Sequence, residues 1–263
     1  MTTGEDTDTD TETDTDTDEF GLVARWTADA IERFDDDHAI PAACRGSGGP
    51  GAMDWLAGWL LDGQSTRFVD VGAGLGGPGA WLAQQHGVHP VLAEPVVDAV
   101  EGARRLFGLD AVAAAAQALP FADGSFDAAW CLGVLSTTTD KAGVLSELRR
   151  VLTPGGRVGL VAYVASGDAI DEPEGNHFPA WSELVDLVGT AGFHIVQSVT
   201  LDDLPDAPDD WDERAAAVDD AVEQDHREDD RWQGAHRDEQ KVSQLLDDGE
   251  VIGHAIRLTP VGA

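Results

Sequence analysis

Apolar residues recur at two different periods along this chain, and the change of period marks out its elements. From Phe20 to Asp62, Trp26, Ala30, Ile31 and Phe34 keep helical spacing, as do Met53, Leu56, Ala57, Trp59 and Leu60. A glycine-rich break, Ala43 to Gly51, separates the two runs. Short apolar runs then alternate with helical patterns. "RFVDVG" predicts a strand and "PGAWLAQQHG" a helix; "VHPVLAE" predicts the second strand, followed by a helix over Val96–Phe107. "DAVAAAA" predicts a short third strand and "FDAAWCLGVL" a fourth. Thr139–Leu152 carries Val144, Leu145, Leu148, Val151 and Leu152 on one helical face; "TPGG" stops it, and "RVGLVAYVA" is an apolar fifth strand. A helix over Trp181–Gly189, a strand "FHIVQSVTL" and a terminal strand "EVIGHAIRLTP" complete the pattern.

Strands alternating with helices require right-handed crossovers and a mostly parallel sheet with helices on both faces. The class is therefore α/β. Residues 205–249 interrupt the alternation with a polar, acidic stretch that keeps helical spacing at Trp211, Ala215, Val218 and Val222. Placed before the last strand, it is a helical insertion, either a lid or an acidic surface pair. Residues 1–19 form a Thr/Asp repeat with no apolar residue after Met1, which predicts a disordered tail ahead of a domain over 20–263.

Charge alters this picture. Among 263 residues, 50 are acidic and 16 basic, giving a formal net charge of −34, and the lysines are Lys141 and Lys241 alone. The acids are spread along the whole chain. Such a surface suits a cytoplasm of very high salt, where a Debye length of about 3 Å screens mutual repulsion. It argues against nucleic acid and against anionic membrane surfaces, both of which need basic patches. The cysteines, Cys44 and Cys131, form no pair motif, so a reduced compartment is expected and no metal site is predicted. Neither a signal peptide nor a membrane span is indicated.

The candidate chemistry lies in "FVDVGAGLGGPGAWLA", which places five glycines within the eight residues Gly72–Gly79. Gly72, Gly74 and Gly77 satisfy G-x-G-x-x-G between a strand and a helix, where free N–H groups and the helix dipole favour a bound ligand. No nucleoside triphosphate loop is present. Glu94, twenty-two residues after Gly72 at the end of the second strand, suits the ribose of either NAD or S-adenosylmethionine. Asp70 lies inside the first strand, where dinucleotide folds favour an apolar residue. A carboxylate there can meet a methionine ammonium.

"VDVGAGLGG", "LAEP", "AQALPFADGSFDAAWCLGVL" and "ELRRVLTPGGRVGLVAY", in this order, resemble the class I S-adenosylmethionine-dependent methyltransferases of the small-molecule type. The resemblance covers about Thr66–Val164. It divides the domain into an N-terminal helical cap (20–65), a cofactor-binding core (66–164) and the 205–249 insertion. It implies a seven-stranded Rossmann-like sheet of order 3-2-1-4-5-7-6, the last strand antiparallel, and methyl transfer from S-adenosyl-L-methionine to a small-molecule acceptor. Carried over by position, Gly72, Ala73 and Gly74 underlie the methionine part, Asp70 faces its ammonium and Glu94 holds the ribose. Where the family places an acid after strand three, this chain has Ala115. Ala116 and Gln117 are the substitutes for the adenine contact, Leu119 walls the ring, and Cys131 offers a backbone carbonyl. Arg45, in the "ACRGSGGPG" loop, is a candidate for the methionine carboxylate, or else a surface arginine in a flexible linker. His177, after strand five, is the candidate catalytic base, or else a loop residue. The missing strand-three acid leaves a cofactor-binding but catalytically silent regulatory or partner module as an alternative function, and the glycine loop with Glu94 would also suit an NAD-dependent oxidoreductase. Asp140 reads as an N-cap.

Overall fold

The computed structural model describes residues 12–61, 67–167 and 170–262. Residues 1–11 of the expected tail and the expected boundary at 65/66 lie outside them. Three helices open the chain, α1 (Glu12–Ile31), α2 (Asp36–Ala42) and α3 (Gly49–Leu60). The first begins at Glu12 rather than near Phe20. The helical backbone thus runs without a break from the second half of the repeat into the segment behind it.

Alternation follows as β1 (Phe68–Val71), α4 (Gly77–His86), β2 (Val91–Glu94), α5 (Val97–Phe107), β3 (Ala111–Ala113), β4 (Phe126–Leu132), α6 (Lys141–Val151) and β5 (Leu152–Ala165). Then come α7 (Trp181–Thr190), β6 (Phe193–Thr200), α8 (Trp211–His226), α9 (Asp230–Asp247) and β7 (Val251–Pro260). The seven strands form one sheet of order β3-β2-β1-β4-β5-β7-β6. β1 to β5 pair in parallel, whereas β7 runs antiparallel to both β5 and β6. One boundary moves. "TPGG" does not merely stop α6 but belongs to β5, bulging out between the Phe126–Leu152 and Ala128–Arg157 pairs. Gly155, at φ 81°, supplies the left-handed turn that this bulge requires.

The period-two alternation of the strands feeds two cores. On one face Val69, Val71, Ala129, Cys131 and Leu160 pack with Val144, Leu145 and Leu148 of α6 and Leu184 of α7. On the other, Phe68, Ala128, Trp130 and Val161 meet Met53, Leu56 and Leu60 of α3 and Trp81 and Leu82 of α4. Each large side chain so buried contributes about 1.5–3 kcal/mol of transfer free energy. A third cluster joins Ala24, Ala28 and Ile31 of α1, Leu75 and Ala99 to Val218 and Val222 of α8. The insertion thus packs on the N-terminal helices. Trp26, Trp55, Trp59, Trp181, Trp211 and Trp232 are all half-buried packing anchors of these clusters, as their helical spacing predicts.

Candidate functional site

The carboxyl ends of β1, β2 and β4 converge on the glycine loop. Gly72 and Ala73 donate their N–H groups to the Ala93 carbonyl at 2.8 and 3.3 Å, which fastens the loop to β2. A Cβ on Gly72, at φ 73°, would lie 2.1 Å from Val134 Cγ2. That glycine is accounted for by the chain's own packing. Gly74 differs: its φ is 53°, and nothing lies within 4 Å of where its Cβ would be. Gly77 opens α4, and a Cβ there would lie 2.5 Å from the Ala43 carbonyl carbon, so the end of α2 packs against bare backbone.

Two buried carboxylates flank this open position. Glu94, 5% exposed, accepts from the Gly74 N–H through Oε2 at 2.9 Å and from the Val96 N–H through Oε1 at 3.1 Å. Burial raises its pKa, and the two backbone donors offset part of that. Each oxygen retains a lone pair. Asp70 is 1% exposed and its Oδ2 has no hydrogen-bond partner. Its pKa is pushed up to about 7, chiefly by burial, with Trp130 easing the shift and Glu94 adding to it. The Trp130 indole N–H is itself unpartnered, so it stabilises the carboxylate by proximity rather than by a formed hydrogen bond. An unpartnered buried acid is costly unless a donor or cation completes it.

The loop between α2 and α3 roofs this end of the sheet. Gly46 O accepts from Tyr163 Oη at 3.3 Å and lies 2.6 Å from where a Cβ on Gly133 would sit. Ser47 Oγ donates to the Cys44 carbonyl at 2.8 Å. Burial and the neighbouring Asp70 both raise the Cys44 thiol, which locates the loop above Asp70. Arg45 makes contacts that the sequence does not suggest. Its guanidinium pairs with Asp219 of α8 and with Glu239 of α9, the latter at 3.3 Å. The insertion packs beside the loop and supplies both acids, so in this structure Arg45 joins loop to insertion.

The remaining expected residues divide. Ala116 and Leu119 are buried in the same cluster as Val71 and Ala93, whereas Gln117 is exposed. Their loop is fixed by residues that a reading by position overlooks. Glu147 accepts from the Leu119 N–H at 2.8 Å, and Arg150 donates to the carbonyls of Leu119 and Phe121 at 3.0 and 2.7 Å. One acid and one arginine of "ELRRVL", Glu147 and Arg150, thus hold "ALPFAD". Cys131 is fully buried opposite Leu160, with a thiol raised first by burial and then by Asp70. His177 is exposed; its N–H donates to Ser136 O at 2.7 Å and its Nδ1 lies 3.6 Å from Glu172 Oε2. Asp140 caps α6 by accepting from the Gly143 N–H at 2.9 Å. Among the described residues no group of three or more His, Cys, Asp or Glu is placed to hold a metal ion, and no helix is long and apolar enough to cross a membrane.

Together these features fit S-adenosylmethionine: an acid without a partner for its ammonium, open space above Gly74, and residual acceptor capacity on Glu94. Comparison with known proteins agrees. A family model described as a methyltransferase domain matches residues 69–160. That segment of the chain therefore resembles a methyltransferase domain, and it lies on a Rossmann-like sheet. Methyltransferase GfsG of Streptomyces halstedii is 38% identical over 112 residues, covering 40% of this chain and 40% of that one. The chloroplastic tocopherol O-methyltransferase of Arabidopsis thaliana is 31% identical over 171 residues, covering 57% of this chain and 47% of the other. The chain thus spans under half the length of either relative. Among solved structures, the 4+2 cyclase SpnF superposes with a TM-score of 0.65 at 23% identity, covering 80% of each chain, a likeness of fold.

Proposed function

We propose that this chain transfers a methyl group from S-adenosylmethionine to a small-molecule acceptor. The observation that carries the reading is the buried Asp70 carboxylate, its Oδ2 unpartnered, beneath the Cys44–Ser47 loop and beside the open backbone of Gly74. In this reading Asp70 binds the methionine ammonium and Gly74 leaves room for the chain behind it. Glu94 accepts from the ribose hydroxyls with its remaining lone pairs. Ala116, Gln117 and Leu119 border the adenine, and the Cys131 carbonyl faces the methionyl end.

The bound cofactor supplies a methyl carbon already activated by a sulfonium. The protein's contribution is therefore mainly alignment and exclusion of water. The roof loop, held through Arg45, serves exclusion, and the loops after β4 and β5 receive the acceptor. Names of relatives support a small acceptor, since one is a tocopherol O-methyltransferase. The diffuse charge of −34 favours neither nucleic acid nor an anionic membrane as partner, and it suits the cytoplasm of a salt-rich cell.

A second reading has one observation behind it, because the fold relative SpnF is named a cyclase. In that case the cofactor is bound and no methyl moves. Two measurements separate the readings: titration calorimetry with S-adenosylmethionine, and transfer of labelled methyl into small molecules. Binding with transfer supports the first reading, binding without transfer the second. Absence of binding contradicts both.

A further inference from the structure

Five residues before His177, on the loop after β5, lies the carboxylate of Glu172. Glu172 is fixed by its surroundings: Oε1 accepts from the Phe178 N–H at 2.7 Å, and Oε2 lies 3.6 Å from His177 Nδ1. Phe178 is buried against Leu245 and Val251, so the donor that orients the carboxylate is itself anchored. The loop is anchored again where the His177 N–H meets Ser136 O at 2.7 Å. Ser136 ends the 3-10 turn that opens with Val134, the residue occupying the space a Gly72 side chain would need. His177 is thus attached to the rim of the glycine-loop site through one short turn. Its side chain is 47% exposed, accessible to a second substrate.

We propose that Glu172 is a positioning residue that keeps the His177 proton on Nδ1, leaving Nε2 as the base for an acceptor hydroxyl. The inference rests on the methyl-transfer reading above and adds the class of acceptor. A carboxylate facing Nδ1 selects the tautomer with its proton there and stabilises the imidazolium once Nε2 is protonated. The 3.6 Å separation exceeds hydrogen-bonding length, a looseness common before substrate is seated. In the step, a lone pair of the acceptor oxygen forms the O–CH3 bond. The S–CH3 bond breaks with its electron pair returning to sulfur, which becomes a neutral thioether. The O–H proton passes to His177 Nε2. A neutral amine attacks with a free lone pair and needs no prior deprotonation. A phenolic hydroxyl, with a pKa of about 10, does need it, and this is the chemistry a histidine base serves.

Other charges face the pair. Lys141 of α6 is attracted by Glu183 of α7 and by Glu172. Lys241 of α9 donates to the Glu172 carbonyl at 3.3 Å and pairs with Asp171 at 2.8 Å.

The test uses the full chain, labelled S-adenosylmethionine, and two sets of probes: phenols and hydroquinones, and sarcosine with other amines. Label should appear as methyl ethers of the hydroxyl probes. H177A should lower kcat at least 100-fold and E172Q about 10-fold, with E172D recovering most of the loss. Cofactor affinity by calorimetry should be unchanged in all three. The loss in E172Q should fall on kcat with KM for the hydroxyl probe little changed, which a merely structural disturbance of the loop would not produce. Transfer to amines alone, or equal rates in the native protein and both H177A and E172Q, overturns the proposal and leaves the methyl-transfer reading intact. Failure of the native protein to bind S-adenosylmethionine, or to methylate any probe after binding it, overturns both.

Discussion

Arg45, on the loop roofing Asp70, is bound by Asp219 of α8, 174 residues further along the chain. With Glu239 as its second partner, it joins the N-terminal cap and the late insertion above the glycine loop. Both pairs are solvent-exposed, so each contributes about 0.5 kcal/mol or less to stability. Their effect should be local. In a D219N/E239Q variant, trypsin should cut after Arg45 several-fold faster than in the native chain. The difference should narrow in 2 M KCl, where screening already weakens the native pairs. Equal cleavage at low salt would show that packing alone holds the loop.

Asp70 stores a cost in the ligand-free protein. Its folded pKa of about 7 exceeds the ordinary 3.8, so its contribution favours folding below pH 4 and is lost as pH rises towards 7. At pH 8, D70N should stabilise the ligand-free chain, by up to about 4 kcal/mol and by less where the amide is left unpaired. The same substitution should weaken S-adenosylmethionine binding at least tenfold. In the native protein, affinity should fall as pH drops below 7 and the carboxyl takes up a proton. Thermal melts and calorimetry across pH 5–8 test both; D70N with lower stability and native affinity contradicts this role.

Gly72 and Gly74 should fail differently when substituted. Gly72→Ala drives a Cβ to 2.1 Å from Val134 Cγ2 at a positive φ, which should cost about 2–4 kcal/mol of stability. At Gly74 a Cβ meets no protein atom within 4 Å, so in Gly74→Val strain of about 1–2 kcal/mol should accompany a much larger loss of cofactor binding. Melting temperatures and titrations on the two variants separate a packing glycine from one that clears a ligand.

These residues also indicate what the sequence makes legible. The alternation of periods locates every strand, and the order of the sheet follows from the resemblance carried by residues 66–164. The limits lie where function depends on contacts between distant segments. The extension of β5 through "TPGG" depends on pairing with Phe126, which spacing does not reveal. Spacing does not reveal that Arg45, a lone cation in a glycine-rich loop, is met by acids from α8 and α9. Gly72 looks like a ligand glycine until Val134 is brought beside it. Glu147, Arg150 and Glu172 belong to ordinary charged stretches and acquire roles only through the backbone groups they meet.

The surface charge of −34 predicts a dependence on salt. Circular dichroism should show loss of structure at low ionic strength and recovery in multimolar KCl, as repulsion among excess carboxylates is screened. A fold of equal stability at both extremes contradicts the salt-adapted reading.

The central claim is tested most directly by incubating the protein with methyl-labelled S-adenosylmethionine and a small-molecule extract, then following label into new products. The account predicts labelled product with the native chain and at least a tenfold loss with Gly74→Val. Native protein that binds the cofactor and leaves every label on it would contradict the claim.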